Sequence, residues 1–225
     1  MSFSIHQIYH QIFRVWREQR FRNFLDTMAP TRDRSLLDVG GYPGFWLGKP
    51  RLFKSIDTLN LTPAPISEAS ALAYNIRSHV GDGRRLPFPD QSFDIVFSNS
   101  VIEHVGSSED QARFAREIRR VGRALWVQTP AFECPIEPHY LAPFVHYLPK
   151  TLQRKLVRWL TPWGWLQKPS PSEVNAMIEE ILLLKYQEFA ILFPDCEIRT
   201  EPLCRIMRKS FIAVKIPRIQ DTAIH

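Results

Sequence analysis

Residues 35–44 read SLLDVGGYPG, a short apolar run around Asp38 that is stopped by Gly40, Gly41 and, three positions on, Gly44. Such a run entering a glycine-rich turn is the mark of a strand followed by a βα junction. Further along, Phe93-Asp-Ile-Val-Phe-Ser98 is a nearly continuous apolar run, suited to a strand buried on both faces of a parallel sheet. Between them, residues 53–61 (FKSIDTLNL) predict a second strand, and residues 69–79 predict a helix leading into a third, brief strand around Val80. After them, Ser107 and Ser108 are N-cap candidates, with Gln111 three beyond Ser108 as in a capping box. The helix they open carries Phe114, Ile118 and Val121 on one face, and residues 124–128 then form a fifth strand. Strands alternating with helices at this spacing predict an α/β fold with a doubly wound, mostly parallel sheet.

Outward from this block, residues 3–28 repeat apolar positions at helical spacing (Ile5, Ile8, Ile12, Phe13, Trp16, Phe21, Phe24, Leu25) and predict an N-terminal helix laid against the domain. A stretch rich in proline and aromatics runs from Pro130 to Pro171, and a long helix is predicted over residues 173–189. Residues 197–204 and 210–215 read as an antiparallel pair that closes a seven-stranded sheet, and the tail from Pro217 to His225 as frayed. The expectation is one domain over residues 1–225, with 1–30 as a helical cover and 130–171 as a substrate-side insertion or lid.

The chain has 225 residues, 44% hydrophobic and 23% charged, enough for one sizeable core. No apolar run is long enough to span a membrane and the first residues lack a signal-peptide layout, so a cytoplasmic protein is expected. Cys134, Cys196 and Cys204 have no CxxC spacing, which points to small core residues rather than a disulfide framework or a thiolate zinc site. A net charge of +6 speaks to steering and solubility. Its basic residues crowd two zones, Arg14 to Arg22 and Lys150 to Lys168, the second inside a span from Pro138 to Ser172 without any acidic residue.

The glycine spacing does not fit the G-x-G-x-x-G of nicotinamide enzymes. Residues 36–44 resemble instead the first motif of class I S-adenosylmethionine-dependent methyltransferases, with Tyr42 at the usual middle glycine. Residues 81–105 (GDGRRLPFPDQSFDIVFSNSVIEHV) resemble the methyltransferase type 11 family almost throughout, and the resemblance spans about Ser35 to Pro130. It implies a Rossmann-like fold and S-adenosylmethionine as cofactor. It places Asp38, Gly40, Gly41, Tyr42 and Gly44 in the cofactor loop, Asp82 on the adenine amino group beside the Gly83 backbone, and Ser98, Asn99 and Ser100 at the turn after the fourth strand. Where the family ends its second strand in a carboxylate that grips the ribose, this chain has Asn60 followed by Leu61; Asp57 lies too far upstream to substitute.

Methyl transfer from an activated sulfonium needs alignment of the nucleophile and a place for its proton. Residues 135–149 (PIEPHYLAPFVHYLP) follow the fifth strand and concentrate Glu137, His139, Tyr140 and His146; His139 is the candidate base, with His104 a second candidate beneath the methyl end. Glu137, His139 and His146 are also metal-ligand types, but their spacing fits no closed site and no metal is expected. Residues 150–165 combine basic and apolar positions with Trp159, Trp163 and Trp165, as either a lid or a peripheral membrane-surface helix. The expected function is O-methylation of a small-molecule or glycan/lipid-linked acceptor. The alternative is a non-catalytic partner subunit of the same fold, on the strength of Tyr42 and Asn60. Ser98-Asn-Ser-Val in place of an Asn/Asp-Pro-Pro-Tyr/Phe turn, and the absence of an added recognition module, argue against a nucleic-acid partner.

Overall fold

The computed structural model describes residues 5–137, 139, 142–203 and 207–216, with side chains from Trp16 onward. In chain order the principal elements are α1 (Ile5–Met28), β1 (Ser35–Val39), β2 (Ser55–Asn60), α2 (Glu68–Tyr74), β3 (Ile76–Val80), β4 (Phe93–Asn99), α3 (Ser108–Val121) and β5 (Gly122–Pro130). They continue with a two-residue pair, β6 (Ile136–Glu137) and β7 (Ala142–Pro143), then α4 (Lys150–Leu160), α5 (Pro162–Gln167), α6 (Pro171–Glu180), α7 (Tyr186–Leu192), β8 (Glu197–Pro202) and β9 (Arg208–Lys215). Seven strands make one sheet in the order β3-β2-β1-β4-β5-β9-β8, parallel from β3 to β5, with β9 antiparallel to both of its neighbours. This is the Rossmann-like, doubly wound sheet expected from the sequence, with the antiparallel pair at its end.

Each central strand divides its side chains between two cores, as period-two geometry requires. Leu36, Ile95, Phe97, Ala124 and Trp126 face α1, where Phe24 is fully buried against Phe97 and Trp126. Leu37, Val39, Val96, Leu125 and Val127 face α3 and α7 through Phe114, Ile118 and Phe189. A third, small cluster of Ala142, Val145, Val157, Val174 and Ile178 gives the insertion a core of its own. No helix among the described residues is long and apolar enough to cross a membrane.

The structure corrects three local expectations. The helix expected over residues 69–79 stops at Tyr74, because Asn75 takes a left-handed conformation as its C-cap, and β3 starts directly at Ile76. The capping box on α3 pairs Ser107 with Asp110. Gln111 is instead buried and donates to the Ile102 and Leu182 carbonyls. The long helix expected over residues 173–189 is two helices. Residues 181–185 run extended between them because their backbone groups are used elsewhere: Leu182 N donates to Glu103 O, Phe132 N donates to Leu184 O, and Leu184 bridges Ala131. Phe3, Cys204 and the tail from Pro217 lie outside the described residues; Cys134 is buried and Cys196 half-buried.

Candidate functional site

In an open α/β sheet the strand order reverses where two crossovers diverge, and a crevice opens at the carboxyl ends of the strands there. Here that point lies between β1 and β4, and a cavity of about 670 Å³ occupies it, of a size that holds a drug-sized ligand. Gly40, at φ +83°, turns the chain away from β1; a Cβ there would meet Val101 at 2.5 Å, so only glycine fits. Gly83 is equally confined, a Cβ lying 2.6 Å from the Phe114 ring.

Of the residues expected at the cofactor, Gly40, Tyr42, Asn60, Leu61, Asp82, Gly83 and Ser100 line this cavity. Tyr42 is 60% exposed at its rim. Asn60 donates through Nδ2 to Gly41 O, tying the end of β2 to the glycine turn. Asp82 is gripped by Arg84 through Nε and Nη2, which holds its carboxyl below the usual range, and Arg84 reaches on to Asp110. Ser100, at φ +56°, donates to Gln128.

Asp38, Gly41, Gly44, Ser98 and Asn99 do not line the cavity. Asp38 is buried and accepts from Trp46 Nε1 at 2.8 Å; burial pushes its carboxyl up to about 7 against that bond. Gly41 packs on the Asp38 carboxylate, Ser98 donates to Val39 O, and Asn99 accepts from Arg20. Arg20, part of the basic zone on α1, is nearly buried, bonded also to Glu201 and Gln128. Asp57 is occupied by Arg77 and His79 on β3 and stays away from the cavity.

A single 3-10 turn, Ile102–His104, follows directly after β4 and brings His104 to the cavity wall. The turn sends Glu103 inward and His104 toward the cavity. Glu103 is fully buried; its Oε2 accepts from Thr129 Oγ1 at 2.9 Å, its Oε1 has no hydrogen-bond partner among the described residues, and burial raises its carboxyl to about 7. His139 comes from the insertion. Its Nδ1 lies 2.5 Å from Glu137 Oε1 and its Nε2 lies 3.2 Å from His104 Nε2. Burial works against a charged His139, yet the bond to Glu137 and the charges of Glu137, Glu103 and Glu180 raise it above the ordinary imidazole range. Burial and His139 together lower His104, whose Nδ1 faces Glu180 Oε1 at 3.5 Å.

The expected catalytic residues Glu137, His139 and His104 therefore come together, and Glu103 and Glu180 join them. Glu103 was visible in the sequence only as the polar residue before His104, and Glu180 carried no signal at all. His146 stands apart: its Nε2 bonds to Phe132 O and its ring lies between Phe132 and Tyr147. Tyr140 lies outside the described residues. None of residues 150–168 lines the cavity; α4 and α5 expose Trp159, Leu160, Trp165 and Leu166.

A family model described as a methyltransferase domain matches residues 37–124. The ajmaline N-methyltransferase of Rauvolfia serpentina is 33% identical over 98 residues, 40% of this chain and 33% of that protein. The ubiquinone/menaquinone biosynthesis C-methyltransferase of Roseobacter denitrificans is 30% identical over 125 residues, 52% of this chain and 48% of that protein. The chain thus spans between a third and a half of the length of these curated relatives. Geranyl diphosphate C-methyltransferase from Streptomyces coelicolor, solved with Mg2+, geranyl-S-thiolodiphosphate and S-adenosyl-L-homocysteine, shares the fold at a TM-score of 0.53 and 15% identity, over 88% of this chain and 76% of that one. Residues 37–124 thus match the methyltransferase-domain model, and the sheet that holds them has the fold of that solved enzyme.

Proposed function

We propose that this chain transfers the methyl group of S-adenosylmethionine to a hydroxyl oxygen of a small-molecule or glycan-type acceptor. The cavity fits the cofactor by its donor set: two glycine backbones that allow close approach at Gly40 and Gly83, and polar side chains at the ends of consecutive strands. Asn60, with Nδ2 spent on Gly41 O, offers Oδ1 to one ribose hydroxyl. Asp82 keeps lone pairs beyond its Arg84 bonds to accept from the adenine amino group. The bound cofactor supplies a methyl already activated by its sulfonium.

The observation that carries the choice of oxygen is the imidazole pair of His104 and His139, backed by Glu137. A hydroxyl must lose its proton as it is methylated, and a poised imidazole is the usual acceptor. His139 would take that proton as the acceptor oxygen is methylated, the sulfonium's carbon–sulfur electron pair remaining on sulfur. Glu137 orients the ring and stabilises its charged form. The exposed tryptophans of α4 and α5, with Lys155 beside them, support lipid-linked glycans as the first acceptors to screen.

The test is calorimetric titration with S-adenosylmethionine and S-adenosylhomocysteine, with Asp82→Ala as control, followed by transfer of labelled methyl to sugars and lipid-linked glycans. One-to-one binding lost in the variant, and label on oxygen, are expected. Label on nitrogen or carbon would overturn the O-methylation reading. No binding at millimolar ligand would make the non-catalytic partner subunit the better account, consistent with Tyr42 and Asn60.

A further inference from the structure

We propose that Glu103, His104 and His139 form a site for a divalent transition metal, zinc foremost, at the acceptor end of the cavity. Their ligand-capable atoms all lie within 4.8 Å of one another. The two Nε2 atoms are 3.2 Å apart, and two imidazole nitrogens on a tetrahedral zinc at about 2.0–2.1 Å would sit about 3.3 Å apart. His104 Nδ1 has Glu180 Oε1 3.5 Å away without a hydrogen bond to it, and His139 Nδ1 is hydrogen-bonded to Glu137. That is how metal-bound histidines are commonly oriented, because a carboxylate on Nδ1–H fixes the tautomer that frees the Nε2 lone pair. With both Nδ1 atoms protonated, the two Nε2 lone pairs would face one another across 3.2 Å, a gap that a cation bridges.

Glu103 supplies the third ligand. Its Oε2 is fixed by Thr129, whereas Oε1 is buried without a hydrogen-bond partner among the described residues, and an unpaired carboxylate oxygen is costly in such a place. Two imidazoles and one carboxylate suit zinc or iron better than magnesium, which favours oxygen ligands alone. Three protein ligands leave a fourth position for water or substrate, the pattern of catalytic rather than structural zinc, and His104 among them lines the cavity.

This deepens the reading above and rests on it only for the metal's role. A coordinated acceptor hydroxyl is acidified by the metal. That takes over the task given there to His139, whose Nε2 is then engaged, and the proton leaves to water. The sequence grouped His139 with Glu137 and His146 and predicted no metal; the fold groups it with the turn after β4 instead.

The experiment uses the full chain stripped with chelator and titrated with Zn2+ by calorimetry, with thermal melts, and with Co2+ as a visible-absorption probe of coordination. Expected are one zinc per chain, a melting temperature raised by several degrees, and a Co2+ spectrum of low coordination number. Glu137→Gln should weaken zinc about 10- to 100-fold, and His139→Ala and Glu103→Gln more than that. Retained S-adenosylhomocysteine binding shows that these variants are folded. Zinc that does not bind the wild type, or that binds His139→Ala and Glu103→Gln unchanged, overturns the site and leaves a proton-bridged imidazole pair. Cofactor binding without zinc sinks this proposal alone; zinc binding without cofactor sinks the methyl-transfer reading alone.

Discussion

Asp38 is the residue whose environment makes the sharpest quantitative demand. Its carboxyl is buried at the end of β1, receives one hydrogen bond from Trp46, and titrates near 7 instead of 3.8. A carboxyl whose folded pKa lies above its unfolded value binds more protons folded than unfolded throughout that interval. Folding stability must therefore fall as pH rises through it. The linkage relation with those two values gives a loss of about 2.5 kcal/mol between pH 5 and pH 8 from this group alone. Asp38→Asn keeps the oxygen that Trp46 needs and cannot ionise. It carries a pH-independent cost of about 1–3 kcal/mol, because its amide takes the place of an oxygen that has no hydrogen-bond partner among the described residues. Urea unfolding of both proteins at pH 5, 6, 7 and 8 isolates the residue, since Glu103 and every other titrating group cancel in the difference. The variant should be the less stable at pH 5 and gain about 2.5 kcal/mol on the wild type by pH 8. Parallel stability curves would refute the reasoning and mean that Asp38 is ionised in the folded protein.

Gly83→Ala forces a methyl onto Phe114, so we expect a cost of about 1–3 kcal/mol in denaturant melts together with loss of S-adenosylhomocysteine binding. Arg20→Ala leaves Glu201 nearly buried without its strongest partner, and should cost about 3–5 kcal/mol; Glu201→Gln in the same background should recover part of it. Phe24→Ala empties the site between Phe97 and Trp126, with an expected loss of about 3–5 kcal/mol and faster proteolysis within α1.

The strands were legible because β1 and β4 are covered on both faces, and burial on both faces leaves near-continuous apolar runs that few other structures tolerate. The break between α6 and α7 was not, because residues 173–189 have a sound helical pattern and only tertiary hydrogen bonds to Glu103 and Phe132 override it. Asp38 shows a subtler failure. A motif can place an acidic residue at the end of a strand, but it cannot say whether the carboxylate turns to the ligand or back onto Trp46. Ser98 and Asn99 were misjudged for the same reason, their side chains being used by Val39 O and Arg20.

The two halves of the site differ in legibility because they differ in origin. The proposed cofactor half is built from turns that directly follow strands, so each residue's neighbours are close in sequence and the signal is local. The proposed acceptor half is assembled from Glu103 and His104 on one turn, Thr129 at the end of β5, Glu137 and His139 in the insertion and Glu180 at the end of α6. The insertion has its own small core in Val145, Val157, Val174 and Ile178. It is tied back to the main sheet at the same turn, where Leu182 N meets Glu103 O and His139 meets His104. A module with a separate core can change its surface without disturbing the sheet. On the proposed function, the residues that choose the acceptor are therefore expected within 131–185, with Glu103 and His104 held apart from them on the turn that follows β4.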